Sequence, residues 1–401
     1  MNKEELISAL GILLDESPES VVEREQTTHD KLSAPFNNQI ILFGTGKLGR
    51  RTLSGLREVG IEPLAFCDNN PKIWGEDIEG LKVLSPEQAV RDFGNKAAIV
   101  VTIWNDRLGH PLEEVREQLQ SYGKCIVVSF LPLYWRHPST FLPYFSLDLP
   151  SNILANKQQL LTVSELIFDE ESRLGFLKNI QSRFKSELEI LPKAVDKKYQ
   201  FKGDFLKSNS DEVFIDAGAY NGDTLKLILE SSQFEFKEYI ALEPDPKNFV
   251  DLNRFIGTLD KRINSKIATY PVAVSNFNGQ ISFDGSGTEQ AQISSCGGLK
   301  VDCRRIDDLL INKDVTFIKM DIEGAELDAI QGASAVLKAK SPVLAISVYH
   351  QLDHLWKLAC LIYNINIDYS FLFRPHAAGG WDYILYAVPQ SRLKTPIQNN
   401  L

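Results

Sequence analysis

Short apolar runs recur along the chain, and several of them end directly at a glycine turn or an acidic residue. Runs of this kind between turn residues are typical of buried strands, whereas the stretches between them place apolar residues at helical spacing. Two blocks of this strand–helix alternation lie on either side of a proline-punctuated segment at residues 136–204. The pattern therefore predicts an α/β protein with two separate sheets.

The first block, residues 36–135, contains a glycine-rich turn between two predicted strands, Gln39–Phe43 and Leu64–Cys67. The turn has the spacing G-x-G-x-x-G and an acid follows the second strand: Gly44, Gly46, Gly49 and Asp68. This arrangement is typical of dinucleotide sites, in which a helix N-terminus binds the pyrophosphate and the acid binds a ribose. A tight strand-to-helix turn needs the same glycines for steric reasons alone. The block is thus predicted to be a Rossmann-like accessory domain that either binds a nucleotide or nucleotide-sugar or is purely structural.

The second block begins with another glycine turn between acid-terminated strands. Val213–Ile215 is predicted to be a strand that ends at Asp216, and the following strand, Tyr239–Leu242, ends at Glu243. S-adenosylmethionine has no pyrophosphate, so it needs only a glycine turn under its methionine part and a carboxylate on its ribose diol. The predicted cofactor-binding residues are Asp216, Gly218, Ala219, Tyr220, Gly222, Thr224, Glu243, Pro244, Asp245 and Ala273.

Five more apolar runs complete the second block. The predicted strands are Tyr270–Ser275, a run from Phe317 that ends at Asp321, Val343–Val348, Tyr369–Phe373 and Trp381–Val388. Seven strands with a closely spaced terminal pair suit the class I methyltransferase fold. The fold class predicted for the whole chain is therefore α/β, with an N-terminal Rossmann-like domain and a C-terminal class I, seven-stranded methyltransferase domain.

Several motifs of the second block resemble those of the FkbM-type methyltransferases. They are DAGAYNGDT, the EPD turn, AVSN, Ser294–Ser295, RIDDLL and KMDIEGAELDAIQGA, and the resemblance covers about residues 205–390. The segments SVYHQLDHLW, FRPH and WDYILYAV are similar to a branch of the family that also has the N-terminal domain. Membership of this family implies methyl transfer from S-adenosylmethionine, commonly to oxygen, and often in glycan or natural-product pathways.

Polar residues at the predicted strand ends are candidates for catalysis and acceptor binding. Asp321, Glu323 and His350 are the predicted catalytic residues, since an alcohol acceptor needs a base or a polarising group. Arg374 and His376 are the predicted substrate-binding residues, because they follow the sixth strand of the block. Structural roles stay open for all of these residues, such as helix capping by Asp321. A metal-like cluster of His350 with Asp353 and His354 would draw on one segment only, and no metal is predicted.

Composition and charge narrow the range of partners. The net charge of −10 and the pI of about 5.3 argue against nucleic acid as the main partner. Five scattered cysteines without zinc-like spacing favour a reduced, cytoplasmic protein. No apolar stretch approaches the length of a membrane span, and Leu6–Leu14 is expected to form an amphipathic helix. No oligomeric state is indicated.

These observations predict five regions and one main function. The regions are a helical extension at 1–35, the accessory domain at 36–135, a linker and helical segment at 136–204, the methyltransferase domain at 205–392 and a tail at 393–401. The predicted function is S-adenosylmethionine-dependent methylation of a sugar hydroxyl or glycan-related metabolite. The alternatives are a nucleotide-sugar-binding protein without turnover and an NAD-dependent oxidoreductase that uses the first glycine loop.

Overall fold

A computed structural model describes residues 1–104, 111–196, 200–201, 203, 205–231, 235–284, 292–293 and 298–394. Ser294–Ser295 and residues 395–401 of the predicted tail lie outside the described residues. The α-helices are α1 Lys3–Leu13, α2 Pro18–Ser33, α3 Lys47–Glu58, α4 Pro86–Phe93, α5 Pro111–Tyr122, α6 Phe130–Arg136, α7 Pro138–Phe141, α8 Pro150–Ala155, α9 Lys157–Leu166, α10 Glu170–Lys185, α11 Asp223–Glu230, α12 Pro246–Gly257, α13 Lys261–Asn264, α14 Ile306–Leu309, α15 Glu326–Gln331, α16 Ser334–Lys340 and α17 His354–Ile365. The strands are β1 Ile40–Phe43, β2 Ala65–Cys67, β3 Asp77–Ile78, β4 Leu81–Leu84, β5 Ala98–Val101, β6 Ile126–Ser129, β7 Val213–Ala217, β8 Glu238–Leu242, β9 Ile267–Tyr270, β10 Val272–Val274, β11 Gly279–Asp284, β12 Gln292–Ile293, β13 Leu299–Arg304, β14 Phe317–Met320, β15 Val343–Ser347, β16 Tyr369–Pro375 and β17 Tyr383–Pro389. Single 3₁₀ turns lie at Pro71–Ile73, Leu188–Ile190, Ala378–Gly380 and Gln390–Arg392.

The N-terminal sheet consists of β1–β6 in the order β3-β4-β2-β1-β5-β6. Its strands are parallel except β3, which pairs antiparallel with β4. The central strand β1 is buried along its whole length, as expected for an apolar run covered on both faces. Helices pack on the sheet, and the prediction of a mixed α/β fold with parallel sheets is confirmed.

The C-terminal sheet has the strand order β16-β17-β15-β14-β7-β8-β9. The strands are parallel except β17, which runs antiparallel to both of its neighbours. β7 and β14 are neighbours at the centre of the sheet. The chain continues from β7 to β8 on one side and from β14 to β15 on the other. In a parallel sheet this reversal opens a crevice at the carboxyl ends of the strands. Asp216, Glu243, Asp321 and His350 lie in or just beyond these ends.

The predicted strand at Tyr270–Ser275 is in fact divided between two sheets. β9 ends at Tyr270 in the C-terminal sheet, and β10 starts at Val272 in a smaller sheet with the order β10-β13-β11-β12. Pro271 stands between them, and a proline has no N–H to donate to a strand ladder. The prediction of one continuous strand was therefore wrong. The break sets Ala273 in the small sheet, on the flank of the crevice.

Helix α1 packs against parts of the chain that are distant from it in the sequence. Leu6 and Leu10 are fully buried and belong to the hydrophobic core that covers one face of the C-terminal sheet. The N-terminal end of the helix is also held there, because Arg173 in α10 donates a hydrogen bond to the Met1 carbonyl at 2.9 Å. The amphipathic helix predicted from the sequence is therefore a structural part of the C-terminal core.

A buried arginine fixes the loop between α7 and α8 against α10. The Arg183 guanidinium donates to the Ser146 carbonyl at 2.9 Å and to the Ser146 hydroxyl at 2.8 Å. A third hydrogen bond of 2.9 Å reaches the side chain of Asn179 in its own helix. Trp104, after β5, donates from its indole to the Gly379 carbonyl at 2.8 Å and packs on Trp381. These contacts attach the N-terminal sheet and the middle segment, residues 130–196, to the C-terminal sheet.

The burial of α1 leads to a prediction about stability. Replacing Leu10 by Ala removes a fully buried side chain and should lower the free energy of unfolding by about 2–5 kcal/mol. Ile12 lies in the same helix but is 76% exposed, so Ile12→Ala should change it by less than about 0.5 kcal/mol. Urea unfolding followed by tryptophan fluorescence measures both variants. Equal midpoints for the two would show that α1 contributes nothing to the core.

Candidate functional site

The site starts with the glycine turn after β7, which touches the loop after β14. Gly218 has a φ of 79°, and a Cβ at this position would lie 2.0 Å from the Asp321 carbonyl oxygen. Only glycine allows this approach. Tyr220 takes a φ of 47°, and Gly222, with a φ of 92°, starts α11. The turn therefore forms the floor between two neighbouring strand ends.

Glu243 is held at the end of β8 by the backbone. One carboxylate oxygen accepts the Tyr220 N–H at 2.8 Å, and the other accepts the Asp245 N–H at 2.8 Å. Burial raises the pKa of Glu243 to about 7, and the two amide hydrogen bonds offset part of this rise. Each oxygen keeps a second lone pair, so the carboxylate can still accept from a pair of hydroxyl groups.

Asp216 lies beneath the turn, in a buried ion pair. The Lys319 Nζ is 3.0 Å from one Asp216 oxygen and donates to the Gly218 carbonyl at 2.8 Å. The Tyr239 hydroxyl donates to the other Asp216 oxygen. Burial alone would lower the pKa of Lys319, but the Asp216 carboxylate raises it above its ordinary range. Sequence reasoning missed Lys319, although a lysine inside the buried strand β14 requires a charged partner.

A cavity with about 560 Å³ of empty space opens between these loops. Five of the predicted cofactor residues line it: Gly218, Tyr220, Glu243, Pro244 and Ala273. The other five are buried and do not line it: Asp216, Ala219, Gly222, Thr224 and Asp245. Asp321 and Glu323 also line the cavity, together with Asn248 and Phe283, which the sequence did not indicate.

The three predicted catalytic residues come together beside this cavity. The His350 Nε2 lies 3.3 Å from an Asp321 oxygen and 3.5 Å from a Glu323 oxygen. Its Nδ1 lies 2.8 Å from Glu326 at the start of α15, whose other oxygen is 3.2 Å from the Nδ1 of His354. Glu326 was not predicted, although its spacing to Ala329 and Ile330 places it on the inward face of the helix.

The charged groups in this cluster shift one another's pKa values. Burial alone would lower the pKa of His350, but the adjacent Glu326 and Glu323 carboxylates raise it well above its ordinary value. Burial works against the ionised form of Glu326, but the neighbouring His350 and His354 bring its pKa below the usual range. Burial raises the pKa of Glu323. The direction of the shift at His350 therefore favours the imidazolium form beside these carboxylates.

A second, larger opening meets the same cluster from the other side. This opening, the cluster cleft, has about 1480 Å³ of empty space, including open solvent. Glu323 and His350 line it from the C-terminal sheet, and Arg51 and the segment 143–156 line it from the opposite side. Glu323 borders both the cavity and the cleft, and it sits in a strained loop with a φ of 55°. Such strain is typical of functional positions.

Arg374 and His376 are placed elsewhere. Arg374 forms an ion pair with Asp169, the N-cap of α10, and donates to the Ser172 hydroxyl at 2.6 Å. The His376 Nε2 lies 2.9 Å from the Tyr386 hydroxyl. β16 is the edge strand, so β17 and β15 separate its end from β14 and Asp321. The structure thus gives the two predicted substrate-binding residues contacts within the fold and does not bring them to the cluster.

The acid of the first glycine turn, Asp68, is hydrogen-bonded within the turn itself. Asp68 accepts hydrogen bonds from the Thr45 N–H at 2.9 Å and from the Thr45 hydroxyl at 2.7 Å. A Cβ on Gly49 would lie 1.9 Å from the Gly44 carbonyl oxygen, so this glycine serves close helix–strand packing. Gly46 is the N-cap of α3. These contacts give the loop a structural role, and the comparisons below lend no support to a nucleotide-sugar there.

The described residues show neither a metal-binding group nor a membrane-spanning helix. Within residues 1–104, 111–196 and the later described segments, no three His, Cys, Asp or Glu side chains are grouped so that they could hold a metal ion. No helix in the described part of the chain has both the length and the apolar character needed to cross a membrane.

Comparison with known proteins identifies the second block. A family model described as the Methyltransferase FkbM domain matches residues 216–373. The crystal structure of Methyltransferase FkbM from Methylobacillus flagellatus KT is similar in fold, with a TM-score of 0.77 and 22% identity over 96% of this chain and 98% of that chain. A putative rRNA-methylase from Clostridium thermocellum has a TM-score of 0.33 and 10% identity, over 50% of this chain and 96% of that chain. No curated protein matches the sequence.

The matched stretch runs from Asp216 to Phe373 and contains the glycine turn, Glu243, Asp321 and the Glu326–His350 cluster. The chain therefore carries a methyltransferase domain of the FkbM family at residues 216–373.

Proposed function

We propose that the protein is an S-adenosylmethionine-dependent methyltransferase that methylates a hydroxyl group of a sugar or glycan-related metabolite. The observation that carries the proposal is Glu243, whose carboxylate is fixed by two backbone amides at the lip of the cavity. The strand order of the C-terminal sheet, with β17 as its antiparallel strand, supports a class I methyltransferase domain at 205–392. The N-terminal sheet then corresponds to a Rossmann-like accessory domain at 36–135.

The cavity residues fit the parts of S-adenosylmethionine. Glu243 would accept hydrogen bonds from the two ribose hydroxyls, and the exposed backbone at Gly218 would lie under the methionine part. The Val272–Val274 wall and Phe283 supply apolar surface for the adenine ring. When bound, this cofactor supplies a methyl group on a positively charged sulfur, and the protein contributes position and electrostatics.

His350 is the residue best placed to take the proton of the acceptor hydroxyl. Its Nε2 faces Asp321 and Glu323 at the junction of the cavity and the cleft. Glu326 binds the Nδ1 side, so it holds the ring in one orientation and favours the charged product of proton transfer. Glu326 is thus a positioning residue, while Asp321 and Glu323 can bind the acceptor hydroxyl or stabilise the imidazolium.

Binding of S-adenosylhomocysteine tests the role of Glu243. Glu243→Gln should weaken binding about 10–100-fold, because a charge-assisted hydrogen bond contributes roughly 1.5–3 kcal/mol. The wild-type affinity should also fall as the pH drops below about 7, since protonation of the raised carboxyl removes the acceptor charge. In Glu243→Gln this pH dependence should disappear. Isothermal titration calorimetry at several pH values measures both effects.

Glu238→Gln is the matched control for this experiment. Glu238 starts the same strand that Glu243 follows, but it faces Lys313 at the opposite end of the sheet. Its substitution should leave the affinity and the pH dependence as in the wild type. Unchanged affinity in Glu243→Gln would remove this carboxylate from the cofactor site and, with it, the main support for the proposal.

Turnover tests the proton-transfer step. His350→Ala should lower the rate about 10²–10⁴-fold and leave the S-adenosylhomocysteine affinity nearly unchanged. In the wild type, the rate should rise with pH through a value above the ordinary histidine pKa of about 6.5, because the neutral imidazole is the active form. The measurement is a pH–rate profile with labelled S-adenosylmethionine and a saccharide acceptor.

In the same assay, Glu326→Gln distinguishes a positioning role of Glu326 from a purely structural one. The variant should lower the rate about 10–100-fold and move the acid limb of the profile to lower pH, because a carboxylate that raises the pKa of His350 is gone. Loss of rate with an unmoved acid limb would contradict the assignment of His350 as the base. Near-normal turnover in His350→Ala would mean that His350 is not the base and that the rate comes from the arrangement of the reactants.

A further inference from the structure

The cluster cleft is built by three separate parts of the chain. Arg51 comes from α3, Tyr144 and Phe145 come from the loop that Arg183 anchors, and Trp356 comes from α17. The cleft reaches the catalytic cluster at Glu323 and His350. Its cavity volume of about 750 Å³ lies within the roughly 300–1,000 Å³ of pockets that bury one drug-sized ligand, which leaves room for more than a single sugar ring.

Two buried polar atoms on the C-terminal wall have no hydrogen-bond partner among the described residues. They are the Asp353 Oδ1 and the Trp356 Nε1, and both side chains line the cleft. The other Asp353 oxygen pairs with Lys357 at 2.6 Å, and Trp356 is 1% exposed. Buried polar groups are nearly always paired in native proteins, so each of these atoms calls for a partner.

The facing wall combines aromatic rings with planar polar groups. The Arg51 guanidinium lies 4.7 Å from the centre of the Tyr144 ring and donates to the Phe141 carbonyl at 3.1 Å. The Asn152 amide donates to Asp148 at 2.8 Å, which orders both side chains along the cleft. Aromatic rings offer a negative face to C–H groups, and the amide and carboxylate groups bind hydroxyls.

The charges of the cleft favour an uncharged ligand. Lys357 is paired with Asp353, and Arg51 is engaged by a carbonyl and a ring. Asp148 and Glu323 add two negative charges, and His350 adds one positive charge when it is protonated. A phosphate or carboxylate group on the ligand would therefore meet at least as much negative as positive charge.

One chemical class matches all of these features. A hydroxyl both donates and accepts, so neighbouring hydroxyls can pair with the Asp353 oxygen and the Trp356 N–H at once. We propose that the cleft is the acceptor site, that it binds a neutral polyhydroxylated glycan of more than one ring, and that Asp353 and Trp356 determine this specificity. This inference rests on the proposed methyltransferase function and assigns its acceptor to residues of both halves of the chain.

A glycan array tests the inference with the full-length protein in saturating S-adenosylhomocysteine. The array carries neutral oligosaccharides, uronic acid or sialylated glycans, and phosphorylated glycans. Binding should concentrate on neutral oligosaccharides. Trp356→Phe keeps an aromatic ring but removes the N–H together with part of the indole, and Asp353→Asn keeps the shape and removes the charge. Each should reduce the signal on the best neutral glycan about tenfold, as expected for one lost hydrogen bond.

Matched controls come from positions outside the cleft. Trp74→Phe alters a tryptophan that is 44% exposed in the N-terminal part, and Asp314→Asn alters an exposed carboxylate. Both should bind glycans like the wild type, and both, together with Asp353→Asn, should melt like it in thermal unfolding. Because Trp356→Phe also changes core packing, Asp353→Asn provides the second, independent reading.

Three results would overturn the inference: binding to acidic glycans only, no binding to neutral glycans, or wild-type binding by both cleft variants. Calorimetry with S-adenosylhomocysteine separates this failure from that of the proposed function. If the protein binds the demethylated cofactor but no neutral glycan, only the acceptor assignment fails. If it binds neither, the proposed methyltransferase function fails as well.

Discussion

The ion pair between Asp216 and Lys319 is the constraint on which the candidate site depends. Both charges are withdrawn from water, and such a pair is tolerated only when its remaining hydrogen-bonding capacity is used. Lys319 satisfies this condition by binding the Gly218 carbonyl, and Asp216 does so by accepting from Tyr239. The pair therefore joins β7, β8 and β14 at the point where the direction of strand succession reverses, and it sets the height of the turn above them.

Everything above that pair is arranged by backbone geometry and by a second buried network. Gly218 lets the turn touch the Asp321 loop, and the same turn supplies the Tyr220 amide that fixes Glu243. On the other flank, Glu326 closes the loop after β14 by accepting the Ile322 N–H at 3.0 Å and also reaches His350. The cavity and the His350 cluster are thus two sides of one loop system, with Glu323 between them.

Sequence reasoning worked where a local pattern carried the information. Apolar runs ended by an acid or a histidine located the strand ends at Asp216, Glu243, Asp321 and His350, because the carboxyl ends of parallel strands share one edge. The reasoning was less successful where the answer depended on strand order. Arg374 follows a strand like the others, but that strand lies at the sheet edge, and chain order does not reveal this.

The cluster cleft could not be predicted from the sequence for a related reason. Arg51, Tyr144 and Trp356 are distant in sequence and meet only through the packing of two sheets on the middle segment. Pro271 is the opposite case, because this single residue signals the break between β9 and β10. The prediction of one continuous strand gave more weight to the apolar run around it. The missed residues Lys319 and Glu326 share one clue, namely a charge at a position whose spacing places it inside the core.

The position of α1 also has a consequence for synthesis on the ribosome. Leu6 and Leu10 lie in a helix whose packing partners, α9 and α10, are made well after it. At roughly 5–20 residues per second, about 10–35 seconds pass between the synthesis of α1 and the end of α10. During that interval the N-terminal sheet can form, while the apolar face of α1 stays exposed. The apolar face of α1 is therefore an aggregation-prone surface of the nascent chain until α9 and α10 have been made.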